Sequence, residues 1–295
     1  MVKLPEVKGK ISYDVNLAKY TWFQVGGNAT TVFEPKDLDD LKNFLKNIDK
    51  NIEITVIGGG SNVLIRDGGI DGVVIFLKDT FNNIKLNGDI IEIECGVLNS
   101  KLYNFAKNNE ISNFEFLGTI PGTIGGAIRG NAGCYGLEIK DLLISVDAVD
   151  SNGNFRNFTV DECNFQYRKN GLPQNLIFTK AYLKADKKSN KQEIEAKYNE
   201  MIFKRLNSQP QGVKTCGSTF KNPVEKPAWK IIQELGFQDK EFNGAKMSEK
   251  HANFMVNTGN ATADSLEKLG ELIIKEAKEK ENINLEWEIK IIGKK

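Results

Sequence analysis

Two glycine-rich stretches carry most of the chemistry legible in this 295-residue chain: Gly58-Gly59-Gly60-Ser61-Asn62 and Pro121-Gly122-Thr123-Ile124-Gly125-Gly126. Glycine lets backbone approach a ligand closely and adopt positive φ, and successive N–H groups in such turns form a concave anion site. One such loop reads as readily as an ordinary turn. Two in one chain, each after an apolar stretch, point to a pyrophosphate held from two sides, and hence to a dinucleotide. The first loop is not a Rossmann fingerprint. Val63 stands where the last glycine would be, and residues 63–69 followed by 72–77 read as strand, turn, strand rather than helix. No stretch has the G-x-x-x-x-G-K-[ST] spacing of a phosphate-binding P-loop either.

Four further residue types could take part in chemistry, and each has an ordinary reading beside it. Ser218 follows a glycine in Gly217-Ser218-Thr219-Phe220-Lys221-Asn222-Pro223, a segment too rich in Gly and Pro for a regular element; it reads equally as a surface turn with a capping serine. Arg168 follows Tyr167, as a stacked surface pair would. Glu286 and Glu288 flank Trp287, so a strand there places both carboxylates on one face, by default a solvated one. His251 is the only histidine and lies beside apolar Phe254-Met255-Val256, which suits a structural residue or ligand contact better than a general acid.

Composition narrows the class. A net charge of +1 provides no basic stripe for nucleic acid. No apolar run approaches the roughly 20 residues of a membrane span, and Met1-Val2-Lys3-Leu4-Pro5-Glu6 lacks the apolar core of a signal peptide. Cys95, Cys134, Cys163 and Cys216 are scattered without a C-x-x-C pair, which fits reduced thiols in the cytoplasm and neither a metal site nor a disulfide frame.

The elements that must position these residues follow from periodicity. Residues 52–57 and 90–95 alternate as half-buried strands, and 98–108 carries Leu102, Phe105 and Ala106 at helical spacing. Strands are expected at 142–149 and 154–158, joined by the turn chemistry of Ser151-Asn152-Gly153, and again at 176–183. A charged helix over 192–206 joins two regions of different texture. Beyond it the pattern predicts a helix at 228–235, a strand at 254–256, a helix from about 264 to 280 opened by Asp264 with Glu267, and a closing strand over 285–292. The fold class is α+β, with a mixed-sheet N-terminal half and a smaller C-terminal α+β domain from about residue 207.

Taken together these residues resemble the UDP-N-acetylenolpyruvoylglucosamine reductase family. The likeness runs from Thr21-Trp22-Phe23-Gln24-Val25-Gly26-Gly27-Asn28-Ala29 through both glycine loops, Asn131-Ala132-Gly133, Tyr167-Arg168, Gly217–Pro223 and His251–Asn257 to Glu288–Gly293. The glycine loops alone are shared with the wider vanillyl-alcohol-oxidase-type flavoproteins; the later motifs make the match specific. The resemblance implies two FAD-binding α+β subdomains, 1–79 (rejoined by the C-terminal strand at 287–295) and 80–206, and a substrate-binding domain at 207–286. It implies non-covalent FAD held by Gly58, Gly59, Gly60, Ser61, Asn62, Pro121, Gly122, Thr123, Gly125, Gly126 and Asn131. NADPH would be the reductant and a UDP-sugar enolpyruvyl ether the substrate. Hydride would pass from flavin N5 to substrate C3 and a proton from Ser218 to C2, with Arg168 and Glu288 stabilising the charge between these events. Lys221, Asn222 and His251 match positions near the substrate and its diphosphate. No substrate-covering insertion fits between 131–136 and 167–168, or onward to Gly217, which marks the shorter, second type.

Two segments depart from the family pattern. Lys169-Asn170 follows Tyr167-Arg168 where a serine is usual two residues on, and Ile128-Arg129-Gly130 replaces a commoner segment before Asn131. Two rival readings stand beside this one: another flavoprotein of the same superfamily, with flavin attached through a residue such as Cys134, and a nucleotide-binding module without catalysis.

Overall fold

Leu41, Phe44 and Leu45 recur at helical spacing in the helix Leu38–Asn47, and all three are buried. Asp37 caps that helix by accepting from the Asp40 amide at 2.9 Å. Its apolar face belongs to one core with Phe33, Val73 and Ile75. The four-stranded sheet that supplies those residues has the order Lys10–Asn16, Asn28–Glu34, Ile70–Phe76, Ile54–Ile57. Its last two strands run parallel with Ile57 opposite Phe76, so the chain leaves Ile57 at a sheet end directly into the first glycine loop. The computed structural model describes residues 4–295; Met1–Lys3, the start of the stretch read for a signal peptide, lie outside them.

A second, antiparallel sheet of five strands has the order Phe155–Thr159, Leu143–Val149, Ile177–Lys184, Ile90–Glu94, Ile84–Asn87. The 150–153 turn closes its hairpin as the residues demand: Gly153 has φ +79° and its amide donates to Asp150 at 3.0 Å. This sheet packs its inner face on Leu102 and Ala106 of the helix Asn99–Asn108, and on Ile124, Ala127 and Ile128 of the helix Ile124–Arg129.

The chain divides into two compact units. The first holds residues up to Tyr13, Thr31–Gly59 and Gly72–Phe203; the second holds Asp14–Thr30, Gly60–Asp71 and Lys204–Lys295. The second unit has its own core, in which Ile231, Met247, Met255, Leu266 and Ile273 are fully buried. Its elements are the helices Ala228–Glu234 and Ala263–Glu281, a three-stranded antiparallel sheet (Glu241–Phe242, Ala245–Met247, Met255–Asn257), and a parallel pair, Val63–Ile65 with Lys290–Ile292. The fold is α+β, as the sequence indicates. Among the described residues no helix is long and apolar enough to cross a membrane.

Two local expectations change. The closing strand covers only Lys290–Ile292. Residues 286–288 instead bond individually to the 219–221 segment, so strand alternation does not set the directions of Glu286 and Glu288. The helix Ala263–Glu281 is capped by Thr262 and Ser265, each side chain accepting the other's amide at 3.1 Å, and not by Asp264 and Glu267. Glu267 is held elsewhere, by the Arg66 guanidinium through two bonds of 2.8 Å. Asp67 meanwhile accepts from the Ala263 and Asp264 amides. The helix Leu38–Asn47, absent from the sequence reading together with the strands Lys10–Asn16 and Asn28–Glu34, was signalled by Asp37 ahead of Leu38, Leu41, Phe44 and Leu45.

Candidate active site

In the first unit the two glycine loops lie directly against each other. A Cβ added at Gly58 would fall 2.5 Å from Thr123 Oγ1, and one at Gly59 would fall 2.8 Å from Gly122 Cα. A side chain at Gly59 would force the loops apart, and one at Gly58 would displace the Thr123 hydroxyl. The second loop is fixed from behind: Asn99 N donates to Gly122 O, Ile124 N to Val97 O and Gly125 N to Cys95 O, at 2.9–3.0 Å. Thr123 caps the short helix Ile124–Arg129, while Pro121 and Gly126 are exposed. Asn99 escaped the sequence reading because nothing in its local pattern marks it; its Nδ2 also holds Ile120 O at 3.0 Å.

Asn131 follows in the left-handed conformation (φ +42°) and is fully buried. Its Nδ2 donates to Glu138 Oε2 and to Gln166 O, both at 3.0 Å, but its Oδ1 is buried without a hydrogen-bond partner. A buried acceptor left so costs about 1–3 kcal/mol, which a ligand N–H would relieve.

Arg168 sits at the tip of a tight turn in which Gln166 and Lys169 exchange backbone hydrogen bonds of 2.8 and 3.1 Å. Its φ of +56° is uncommon for a residue with a side chain. The guanidinium lies over the Tyr167 ring, 5.0 Å from its centroid, and Nη2 donates to Gly133 O at 3.0 Å. Asn131 and Arg168 thus share one neighbourhood, the 131–134 and 166–168 segments. The two departures from the family pattern also meet there. Asn170 Nδ2 donates to the carbonyls of Ile128 and Arg129 at 3.0 and 3.1 Å.

The second unit brings Ser218 and Glu288 onto paired segments. Ser218 bridges Phe254 on one side, and Thr219 O accepts from the Glu288 amide at 2.9 Å on the other. Gly217, at φ +80° with open space around its missing side chain, turns the chain into this position. Ser218 therefore caps no helix. Thr219 and Asn253, both buried, lock the segment. Thr219 Oγ1 accepts from Met255 N at 3.0 Å, and the Asn253 amide both donates to and accepts from the Phe220 backbone at 2.8 and 3.0 Å. Neither was singled out from sequence, where a polar residue between apolar ones carries no distinctive spacing. Asn62 reaches the same segment, its Nδ2 donating to Glu288 O at 3.2 Å. Gly60 has φ +63°, and its carbonyl accepts from Trp22 N at 3.0 Å; Ser61 is half-buried beside it.

Lys221 forms an ion pair with Glu286 at 2.8 Å, and Asn222 Oδ1 accepts from the Ala228 amide at 3.0 Å, capping the helix Ala228–Glu234. The His251 ring meets Phe254 edge-on at 4.7 Å, and its Nδ1 accepts from Asn253 N at 3.2 Å. Burial lowers its pKa, so the ring is neutral at pH 7.

Comparisons with known proteins agree along the chain. The profile of the C-terminal domain of UDP-N-acetylenolpyruvoylglucosamine reductase matches residues 209–292, and that of an FAD-binding domain matches residues 29–159. The UDP-N-acetylenolpyruvoylglucosamine reductase of Rickettsia massiliae is 46% identical over 294 residues, covering 100% of this chain and 99% of the relative. That of Rickettsia typhi is 47% identical over 291 residues, covering 99% and 98%. The crystal structure of the Thermus caldophilus reductase superposes with a TM-score of 0.83 at 30% identity, over 97% of this chain and 99% of that one.

Proposed function

The chain belongs to the UDP-N-acetylenolpyruvoylglucosamine reductase family, and from that premise we propose that it uses NADPH and non-covalent FAD to reduce UDP-N-acetylglucosamine enolpyruvate to UDP-N-acetylmuramate, a step of peptidoglycan precursor synthesis. The residues fit the cofactor. The close approach of Gly59 to the Gly122 backbone and of Gly58 to the Thr123 hydroxyl disfavours side chains there, as a pyrophosphate cradle requires, and the orphaned Asn131 Oδ1 suits a flavin ring N–H. We assign Gly58–Asn62, Pro121, Gly122, Thr123, Gly125, Gly126 and Asn131 to that cradle. Two separate apolar cores in the first unit support two FAD-binding subdomains, 1–79 and 80–206, and the core of the second supports a substrate domain over 207–286. Pairing of Lys290–Ile292 with Val63–Ile65 supports the return of 287–295 to the first subdomain.

Bound FAD, once reduced, supplies the hydride for C3 of the enol ether. The C2–C3 π bond then gives up its electrons to C2 and the adjoining carboxylate. Arg168 answers this charge with its guanidinium cation. Glu288 serves the same charge only as a neutral or hydrogen-bonded carboxyl. Ser218 delivers the proton that forms the C2–H bond, its hydroxyl being a weak acid matched to a strongly basic carbon. Lys221, Asn222 and His251 are assigned to the UDP-sugar; Lys221 would exchange Glu286 for a phosphate, and neutral His251 offers a hydrogen bond rather than a charge. The observation that carries this reading is the pairing of the Ser218 and Glu288 segments through Thr219. It ties the segments that carry the two residues to one another.

Anaerobic half-reactions test it. Ser218→Ala should leave bleaching of the flavin by NADPH nearly normal and slow its reoxidation by the enolpyruvyl sugar roughly 10²–10⁴-fold. Equal slowing of both halves would make Ser218 structural. Wild-type protein that bleaches but never regains colour with that substrate would sink the substrate assignment. Acid precipitation separates the covalent-flavin rival, since non-covalent FAD stays in the supernatant.

A further inference from the structure

We propose that Asn170 is a positioning residue for Arg168, fixing the turn that carries the guanidinium against the end of the helix that follows the second glycine loop. The proposal rests on the role given to Arg168 above. Asn170 is 1% exposed, and every hydrogen-bonding group of its amide is engaged. Nδ2 donates to Ile128 O at 3.0 Å and Arg129 O at 3.1 Å, and Oδ1 accepts from Leu172 N at 3.1 Å. Those carbonyls close the helix Ile124–Arg129, whose first residue follows Thr123 of the glycine loop. One side chain therefore spans from the helix of the anion loop to a point two residues past Arg168.

The turn requires such a hold. Left-handed backbone at a residue with a Cβ is strained and persists only where its surroundings impose it. Asn131 restrains the near side through Gln166 O at 3.0 Å, and Asn170 restrains the far side. Arg129 completes the clamp from the same helix. Its guanidinium donates to Pro173 O at 3.1 Å and Leu176 O at 2.6 Å and lies 4.2 Å over the Phe178 ring, so the chain leaving the turn is tied down as well. Burial lowers the Arg129 pKa to about 10, which still leaves it a cation at neutral pH. Asparagine suits the position on chemical grounds. It provides two donors and one acceptor on a short stem, whereas serine has a single donor and aspartate none.

A double-mutant cycle on the FAD-loaded, full-length protein decides the matter. Asn170→Ala should slow reoxidation by the enolpyruvyl sugar about 10- to 100-fold, as a misplaced charge does, and leave reduction by NADPH within about twofold. In an Arg168→Ala background the same change should cost less than about twofold, because its target is gone. Equilibrium binding of UDP-N-acetylmuramate, followed by the shift in the oxidised flavin spectrum, should show the same dependence without turnover. Should Asn170→Ala not fold, Asn170→Ser, which keeps one donor, carries the comparison with a smaller first step. Equal losses in both backgrounds overturn the proposal and leave Asn170 purely structural. If Arg168→Ala by itself leaves reoxidation unchanged, the role assigned to Arg168 fails, and the positioning role falls with it.

Discussion

Gly270 lies buried inside the helix Ala263–Glu281 with the Trp287 indole pressed onto it. A Cβ there would stand 1.9 Å from Cη2, 2.3 Å from Cζ2 and 2.9 Å from Cζ3 of that ring. Gly270→Ala sets two effects against each other. Alanine gains about 1 kcal/mol of helix propensity over glycine, while an extra methyl in a filled site costs about 1–3 kcal/mol. The intruded atoms belong to a rigid bicyclic ring, itself tilted on Phe220 at 5.0 Å, so no side-chain end can swing away. Steric cost should therefore win, by about 1–2 kcal/mol. The displaced tryptophan also drags its neighbour Glu288, whose amide is bonded to Thr219, and turnover should fall with stability. Urea unfolding by tryptophan emission reads this cleanly, because Trp22, Trp229 and Trp287 are the only three tryptophans and all lie in the second unit. Adding Trp287→Phe, which removes the intruding ring atoms, should recover at least about 1 kcal/mol relative to additivity. A Gly270→Ala protein more stable than wild type, or a double variant that is merely additive, would refute the packing argument.

Gly59→Ala should yield a protein that retains FAD poorly. Its methyl meets Gly122 backbone at 2.8 Å, and a strain of about 1–3 kcal/mol implies a loss of affinity of about 5- to 150-fold. The ratio of flavin to protein absorbance after gel filtration checks this, and full retention would contradict the cradle. In the second unit, Glu267 is only 6% exposed at its side chain, and the hydrogen bonds from Arg66 hold its pKa below the usual carboxylate value. A lowered folded pKa means stability present above the unfolded value of about 4.3 and lost as pH falls through the folded one. Glu267→Gln should thus cost about 1–2 kcal/mol at pH 7, discounted because the Arg66 side chain is 29% exposed, with the gap to wild type closing below about pH 4. A gap that is constant with pH would exclude the ion pair as its source.

The regular elements were legible wherever burial imposes a period. The 143–149 and 155–159 hairpin, the 263–281 helix and the glycine loops all follow from patterns a few residues long. What escaped depends on partners distant in sequence. Glu267 reads as a helix-start acid until Arg66, 201 residues away, takes it. Residues 285–289 read as strand, yet Glu286, Trp287 and Glu288 meet the irregular 219–221 segment and so never form a regular ladder. Asn170 and Arg129 could be noted only as departures from a pattern. That they bond to one another's surroundings, 41 residues apart, is a property of the fold.

The second unit is assembled from three separated pieces of chain, and its parallel strand pair joins Val63–Ile65 to Lys290–Ile292. During synthesis, which proceeds at about 5–20 residues per second, those strands emerge many seconds apart. The first unit is complete by Phe203 and is free to fold early. Leu64, fully buried in the finished core of the second unit, must wait for partners such as Ile289 at the far end of the chain. Until then its apolar surface is exposed to the ribosome exit and to chaperones. A nascent chain halted near residue 210 should therefore protect the 90–184 sheet from protease while leaving the 60–71 segment open to cleavage.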